Sequence, residues 1–276
     1  MSTPTTHLLD PQRYRVTFAR STHSELRKIT GLRSTWLLLS LMILLYAGIV
    51  ALLAYSQNEF SPTISEAVSE ESLSFDINLI TLNVTFALFF TLALGIVATT
   101  NEYASHTMRT TALSDPNRIR SFAAKHTAVA IIAGIANALL TLVAVGVYTF
   151  MFKGRPEFSG EDARILAMFW GVLTVSALIG TSVGYLLRHT AGAITATFVV
   201  LIFGNAVSLI NIDWVRNTLV HYMPLDVANA AVSSLLPDPA LESTNVLSWE
   251  LAGLVWVIYA LLLAGGGLLR LRSHDI

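Results

Sequence analysis

Ser34–Asn58, STWLLLSLMILLYAGIVALLAYSQN, runs without a single Asp, Glu, Lys or Arg. A bilayer's hydrocarbon core is about 30 Å thick and an α-helix rises about 1.5 Å per residue, so roughly 20 apolar residues cross it. This stretch is long enough. Before it lies a polar arm with Arg13, Arg15, Arg20, Arg27, Lys28 and Arg33. A secretory signal has a short apolar core and a small-residue cleavage site. Here the apolar run arrives late and is too long, so it reads as a retained first span.

Five further stretches meet or approach the same length: Ile77–Glu102 (less its final Glu), His126–Phe152, Ile165–Leu187, His189–Ile212 and Leu251–Leu269. The expectation is an all-α membrane protein with six transmembrane helices. It divides into a cytoplasmic arm over 1–33 and one transmembrane domain over 34–276. Composition agrees, because 54% of residues are hydrophobic and only 13% charged, against roughly a quarter charged in soluble domains. The absence of cysteine excludes disulfides, thiolate metal sites and thiol nucleophiles. Basic residues do not cluster on an aromatic-rich face, so nucleic acid is not an expected partner.

Cytoplasmic loops keep an excess of Lys and Arg. When alternate loops are grouped, one side carries 13 basic residues and the other 4 (Lys153, Arg155, Arg164 and Arg216). Both termini are therefore expected in the cytoplasm.

Three non-spanning segments need an account. In the arm, Asp10-Pro11 suits a helix start, and Thr22-x-x-Glu25 a capping box. Tyr14, Phe18, Leu26 and Ile29 fall near helical spacing between basic residues. This reads as an amphipathic elbow helix on the cytoplasmic leaflet, with a solvated basic arm as the alternative. The loop Asn101–Lys125 is too long for a hairpin turn. Met108, Thr111 and Ala112 make a short helix there, and Asp115 caps a following one that begins at Pro116. Such a helix, with Arg109, Arg118 and Arg120 around it, is either a docking surface for a soluble partner or a topogenic charge cluster. The external segment Asp213–Glu250 holds two weakly amphipathic pieces, Trp214–Tyr222 and Asp226–Leu236, parted by Pro224. They are short re-entrant helices if protein covers their free backbone groups, and otherwise a loop.

Glu102-Tyr103, then Thr107-Met108-Arg109-Thr110-Thr111 and Pro116-Asn117-Arg118, resemble the second cytoplasmic loop of ABC-2 type ABC transporter permeases. Ser24-Glu25-Leu26-Arg27-Lys28 and Arg33-Ser34-Thr35-Trp36 are similar to the family's elbow helix and its passage into the first span. One departure is His106, where the family usually has glycine. Glycine there would permit a positive φ, which histidine tolerates better than most residues. The resemblance implies a permease subunit of a bacterial exporter in the plasma membrane, paired with a second identical or homologous permease. A separate ABC ATPase subunit would bind ATP and Mg. The coupling helix would meet that ATPase through Met108, Arg109, Thr110, Thr111, Leu113, Asp115, Pro116, Arg118 and Arg120. Glu102, Glu25, Arg27 and Lys28 would join elbow and loop.

The chain has no G-x-x-x-x-G-K-[ST], so it cannot cradle ATP through a P-loop. No charged residue occupies the middle third of a span, which disfavours an ion-coupled carrier. The cargo expected is therefore hydrophobic or amphipathic: a drug, a peptide or a lipid. Asn83, Asn137 and Asn205 either line a shared translocation path or bond across helices. Gly180-x-x-x-Gly184, with Ala177 a turn earlier, favours close packing within the chain. The competing class is a stand-alone carrier or an intramembrane hydrolase. For the hydrolase, Ser40, Ser176, Ser182 and Ser208 are the serines within spans, but His126 and His189 lie only at the cytoplasmic ends of theirs. Neither G-x-S-x-G nor H-E-x-x-H occurs, so no catalytic residue is assigned.

Overall fold

A computed structural model describes residues 16–65, 77–81, 83–151, 158–207, 210, 212–232 and 247–273. Asp10-Pro11, Tyr14, Ser208 and the end of the Asp226–Leu236 piece lie outside these. The described residues form helices and turns with no strand. In order they are α1 (Phe18–Gly31), α2 (Arg33–Ser65), α3 (Asn78–Thr81), α4 (Val84–Ala104), α5 (Thr107–Ser114), α6 (Arg118–Met151), α7 (Gly160–Leu187) and α8 (Thr190–Ala206). A π-helical turn (Val215–Leu219) and a 3-10 turn (Val220–Tyr222) lead to α9 (Pro224–Val232), and α10 (Trp249–Ser273) closes the chain.

Five of these helices are long and apolar enough to cross a bilayer: Arg33–Gln57 of α2, then α4, α6, α7 and α10. The protein is a multi-pass membrane protein. The expected stretch His189–Ile212 becomes the 17-residue α8, about 25 Å long and short of the hydrocarbon thickness. The expected Ile77–Glu102 span is broken ahead of Asn83, whose backbone (φ −98°, ψ 28°) lies outside the helical region. Asparagine competes with helix hydrogen bonding through its own side chain, and α4 starts only after it.

Two helices begin earlier than charge-free runs suggest. α6 starts at Arg118, close to the expected helix start at Pro116, and runs on through Lys125, which is paired inside the protein, although the charge-free run begins only at His126. α7 starts at Gly160, where Ser159 and Asp162 form a reciprocal capping box: Ser159 N donates to Asp162 Oδ2 at 2.7 Å and Asp162 N to Ser159 Oγ at 3.2 Å. Two sequence-based caps are corrected. Thr22 and Glu25 lie buried within α1, whose N-cap is Thr17, accepting from Arg20 N at 3.4 Å. Asp115 closes α5, while Asn117 Oδ1 accepts from Arg120 N at 3.1 Å in the first turn of α6.

α7 is the centre of the assembly, packed against α4, α6, α8, α9 and α10. Its seam with α4 is as close as two helices can come. A Cβ on Gly180 would overlap the Leu92 carbonyl, one on Gly95 would overlap the Ala177 carbonyl, and one on Gly184 would lie 2.9 Å from Thr99 Cβ. The small-residue face at Ala177, Gly180 and Gly184 thus serves packing within the chain, with Gly95 as the reciprocal notch. Around this seam Tyr46, Leu88, Leu140, Phe169 and Trp256 form the main apolar core.

Candidate functional site

The ends of α4, α7 and α10, the start of α6, and helices α1 and α5 meet at one end of the bundle. On α1, Thr22, Glu25 and Ile29 recur at helical spacing and are buried against α6, while Arg20 and Arg27 stay exposed. The helix therefore carries a carboxylate on its inward face.

Glu25 sits in a closed ring of four alternating charges. The Lys28 ammonium donates to Glu25 Oε1 at 2.6 Å, to Glu102 Oε1 at 3.2 Å and to Thr111 Oγ1 at 3.0 Å. Lys125 pairs with Glu102 Oε1 at 2.5 Å and with Glu25 Oε2. Lys125 is only 2% exposed, Glu25 4% and Glu102 6%. Two acids and two bases cancel, which is the condition for tolerating such groups away from water. Burial is the largest influence on Lys28 and acts to lower its pKa, but the Glu102 and Glu25 carboxylates outweigh it and hold the pKa above the ordinary value. The ring joins α1, α4, α5 and α6. A cavity of about 690 Å³ opens beside it between α1, α4 and α5, edged by Asn101, Ser105, Thr107 and Thr110.

A second polar knot ties α1 to the turn between α5 and α6. Asp115 receives Arg120 Nε at 2.9 Å and Nη2 at 2.5 Å, Ser21 Oγ at 3.0 Å and Asn117 N at 3.2 Å. The Arg120 hydrogen bond, followed by those of Ser21 and Asn117, holds the Asp115 carboxyl below its usual pKa against the opposing effect of burial. Arg120 Nη1 also donates to Val16 O at 2.9 Å.

A third set grips the last turn of α10. Arg118 Nη1 donates to Leu271 O at 2.6 Å and Arg272 O at 3.2 Å, and Arg188 Nη2 donates to Arg270 O at 3.1 Å. Cations at a helix C-terminus answer its unpaired carbonyls and dipole. Beneath them Met108, Phe122, Tyr185 and Leu271 form a small apolar cluster.

The residues singled out from sequence thus separate by role. Met108, Asp115, Arg118 and Arg120 are engaged in contacts within this chain. Thr111 bonds Lys28. Thr110, Pro116 and Arg27 are exposed, and Leu113 is 86% exposed. The Arg109 and Asn205 side chains lie outside the described part. His106, at the start of α5, adopts φ 57° and ψ 11°, the left-handed conformation that a glycine would favour. Glu102 pairs with Lys28 of the elbow segment, as expected. Lys125, Ser21 and Arg188 were missed. A signal for Lys125 existed, since opposite charges at the end of one span and the start of the next suit a pair.

Of the three asparagines, two have described side chains. Asn137 is enclosed between α6 and α7, its amide 3.5 Å from Thr174 Oγ1, while Asn83 sits at the other end of α4 from the ring. His126 Nε2 lies 3.0 Å from Ser182 Oγ and its Nδ1 3.0 Å from Phe122 O. Ser182 is fully buried and its hydroxyl also donates to Leu178 O at 2.8 Å. Among the described residues no three His, Asp or Glu side chains converge as a metal site. The chain matches no protein-family model and no curated protein.

Proposed function

We propose that this chain is the permease subunit of an ABC-2 type exporter, driven by a separate ABC ATPase subunit that carries ATP and Mg. One observation carries the reading: α5 lies between two membrane-length helices and is tied to four other helices at once. Thr111 reaches α1 and the charged ring, and Met108 packs with Phe122 of α6, Tyr185 of α7 and Leu271 of α10. Its other side, with Thr110 and Leu113, is bare. Close-packed interiors pass displacement along rather than absorb it. A push on the bare side of α5 would move the ends of α4, α6, α7 and α10 together.

In this reading α8 is the fifth of six spans, both termini are cytoplasmic, and a second permease copy completes the path for a hydrophobic or amphipathic cargo. The bundle end that holds Val16 also holds Arg272, which supports equal sidedness of the two chain ends. The π-helical and 3-10 turns that follow α8, together with α9, are external and re-entrant. In support, Val227, Ala228 and Val232 are enclosed, and Tyr259, well inside α10, bonds the Tyr222 carbonyl. The membrane is the bacterial plasma membrane.

The test is Leu113→Glu, a change on a bare side chain. With the cognate ATPase co-expressed, the variant should fold with an unchanged melting temperature and lose co-purification. Intact co-purification together with coupled ATP hydrolysis would count against α5 as the docking element.

A further inference from the structure

An apolar groove of about 450 Å³ runs between α4, α7, α8 and α10, from the start of α9 to the last residues of α7. Its wall on α7 extends from Ile179 to Leu187, roughly 12 Å of helix. Three lining residues carry polar side-chain atoms, and each is engaged with a backbone carbonyl. Thr197 Oγ1 donates to Ala193 O at 2.8 Å, Trp256 Nε1 donates to Val172 O at 3.2 Å, and Tyr259 OH bonds Tyr222 O. Every other lining residue is aliphatic. The lips are Val200 of α8 and Leu262 of α10, 57% and 68% exposed.

Water enters a cavity only where several polar partners await it, and an apolar cavity stays dry. An empty space of this size in a packed interior is costly, because its lining atoms lose their dispersion partners. The lips belong to a helix of membrane length and to its apolar neighbour, so the surrounding medium is hydrocarbon.

We infer that the groove holds one acyl chain of a bilayer lipid, entering between Val200 and Leu262 and lying against Trp256. A flexible, unbranched chain fits an elongated apolar slot without leaving a polar group unpaired. The inference needs only the membrane placement of these helices. It stands or falls separately from the permease reading.

Trp256 is itself the reporter, since its ring is 2% exposed and lines the groove. The protein is reconstituted in phosphatidylcholine bilayers with brominated acyl chains, which quench tryptophan on contact. Trp36, Trp170, Trp214 and Trp249 are changed to Phe so that Trp256 alone emits. Trp256 should lose most of its emission, and Ala196→Leu, which fills the groove, should restore it. If the four changes prevent folding, the difference between the native chain and Trp256→Phe isolates the same signal. Unquenched Trp256 would overturn the inference, including the case in which a second copy covers the groove. Equal quenching with and without Ala196→Leu would also overturn it, because lipid would then reach the ring by another route.

Discussion

Lys125 would be destabilising if it stood alone. A lysine 2% exposed is tolerable only because Glu25 and Glu102 both face it. Lys125→Met leaves two enclosed carboxylates sharing Lys28, and removing one partner of a buried ionic group costs about 3–5 kcal/mol. The expected result is a clear fall in melting temperature in detergent. Glu25→Gln added to Lys125→Met restores charge balance and should recover part of the loss. Lys28 and Asp115, both outside the spans, act at opposite pH limits. Lys28 has a folded pKa above its unfolded one, so its contribution is present at neutral pH and fades as pH rises past the ordinary lysine range. Asp115 has a folded pKa below its unfolded one, so its contribution is present above the ordinary carboxylate range and fades as pH falls through it. Melting temperature against pH should show both limbs, and Asp115→Asn should flatten the acid one.

Between elements, the α4–α7 seam rests on hydrogen atoms where other residues have side chains. At Gly180 the obstruction is the Leu92 backbone carbonyl, which no rotamer change can move aside. Gly180→Ala should therefore push the helices apart and cost about 1–3 kcal/mol, the usual range for overpacking. Gly146 of α6 has nothing within 4 Å of an added Cβ, so Gly146→Ala is the matched control and should hold or raise the melting temperature, alanine favouring a helix interior by about 1 kcal/mol over glycine. An equal response to both would mean that the seam is looser than its geometry. The same seam sets α7 directly against α4, and α6, α8, α9 and α10 also pack on it.

For the whole molecule, sidedness is the property to measure. The 13 to 4 bias in basic residues predicts that the α1 end faces the cytoplasm. The chain contains no cysteine, so single cysteines label cleanly. Ser24→Cys on α1 should react only when a membrane-impermeant thiol reagent reaches the cytoplasmic face, and Ser159→Cys, ahead of α7, only from outside. Labelling of both positions from one face would refute the assigned topology.

Length and hydropathy by themselves determined that this is a helical membrane protein, because apolar stretches near 20 residues have few other stable fates than a bilayer. The short α5 and the packing role of Gly180 and Gly184 were also legible, from loop length and small-residue spacing. What tertiary structure decided was where charges end a helix and where they do not. Lys125 looked like the boundary of a span. Opposite charges at adjacent span ends hint at its pair with Glu102, but Glu25 of α1 is far away in sequence and no local pattern reveals it. For the same reason the contacts that Met108, Asp115 and Arg118 make with Leu271, Ser21 and the end of α10 were not legible in the sequence. The shortness of α8 was likewise hidden, since an apolar run records how many residues avoid water but not where backbone hydrogen bonding stops.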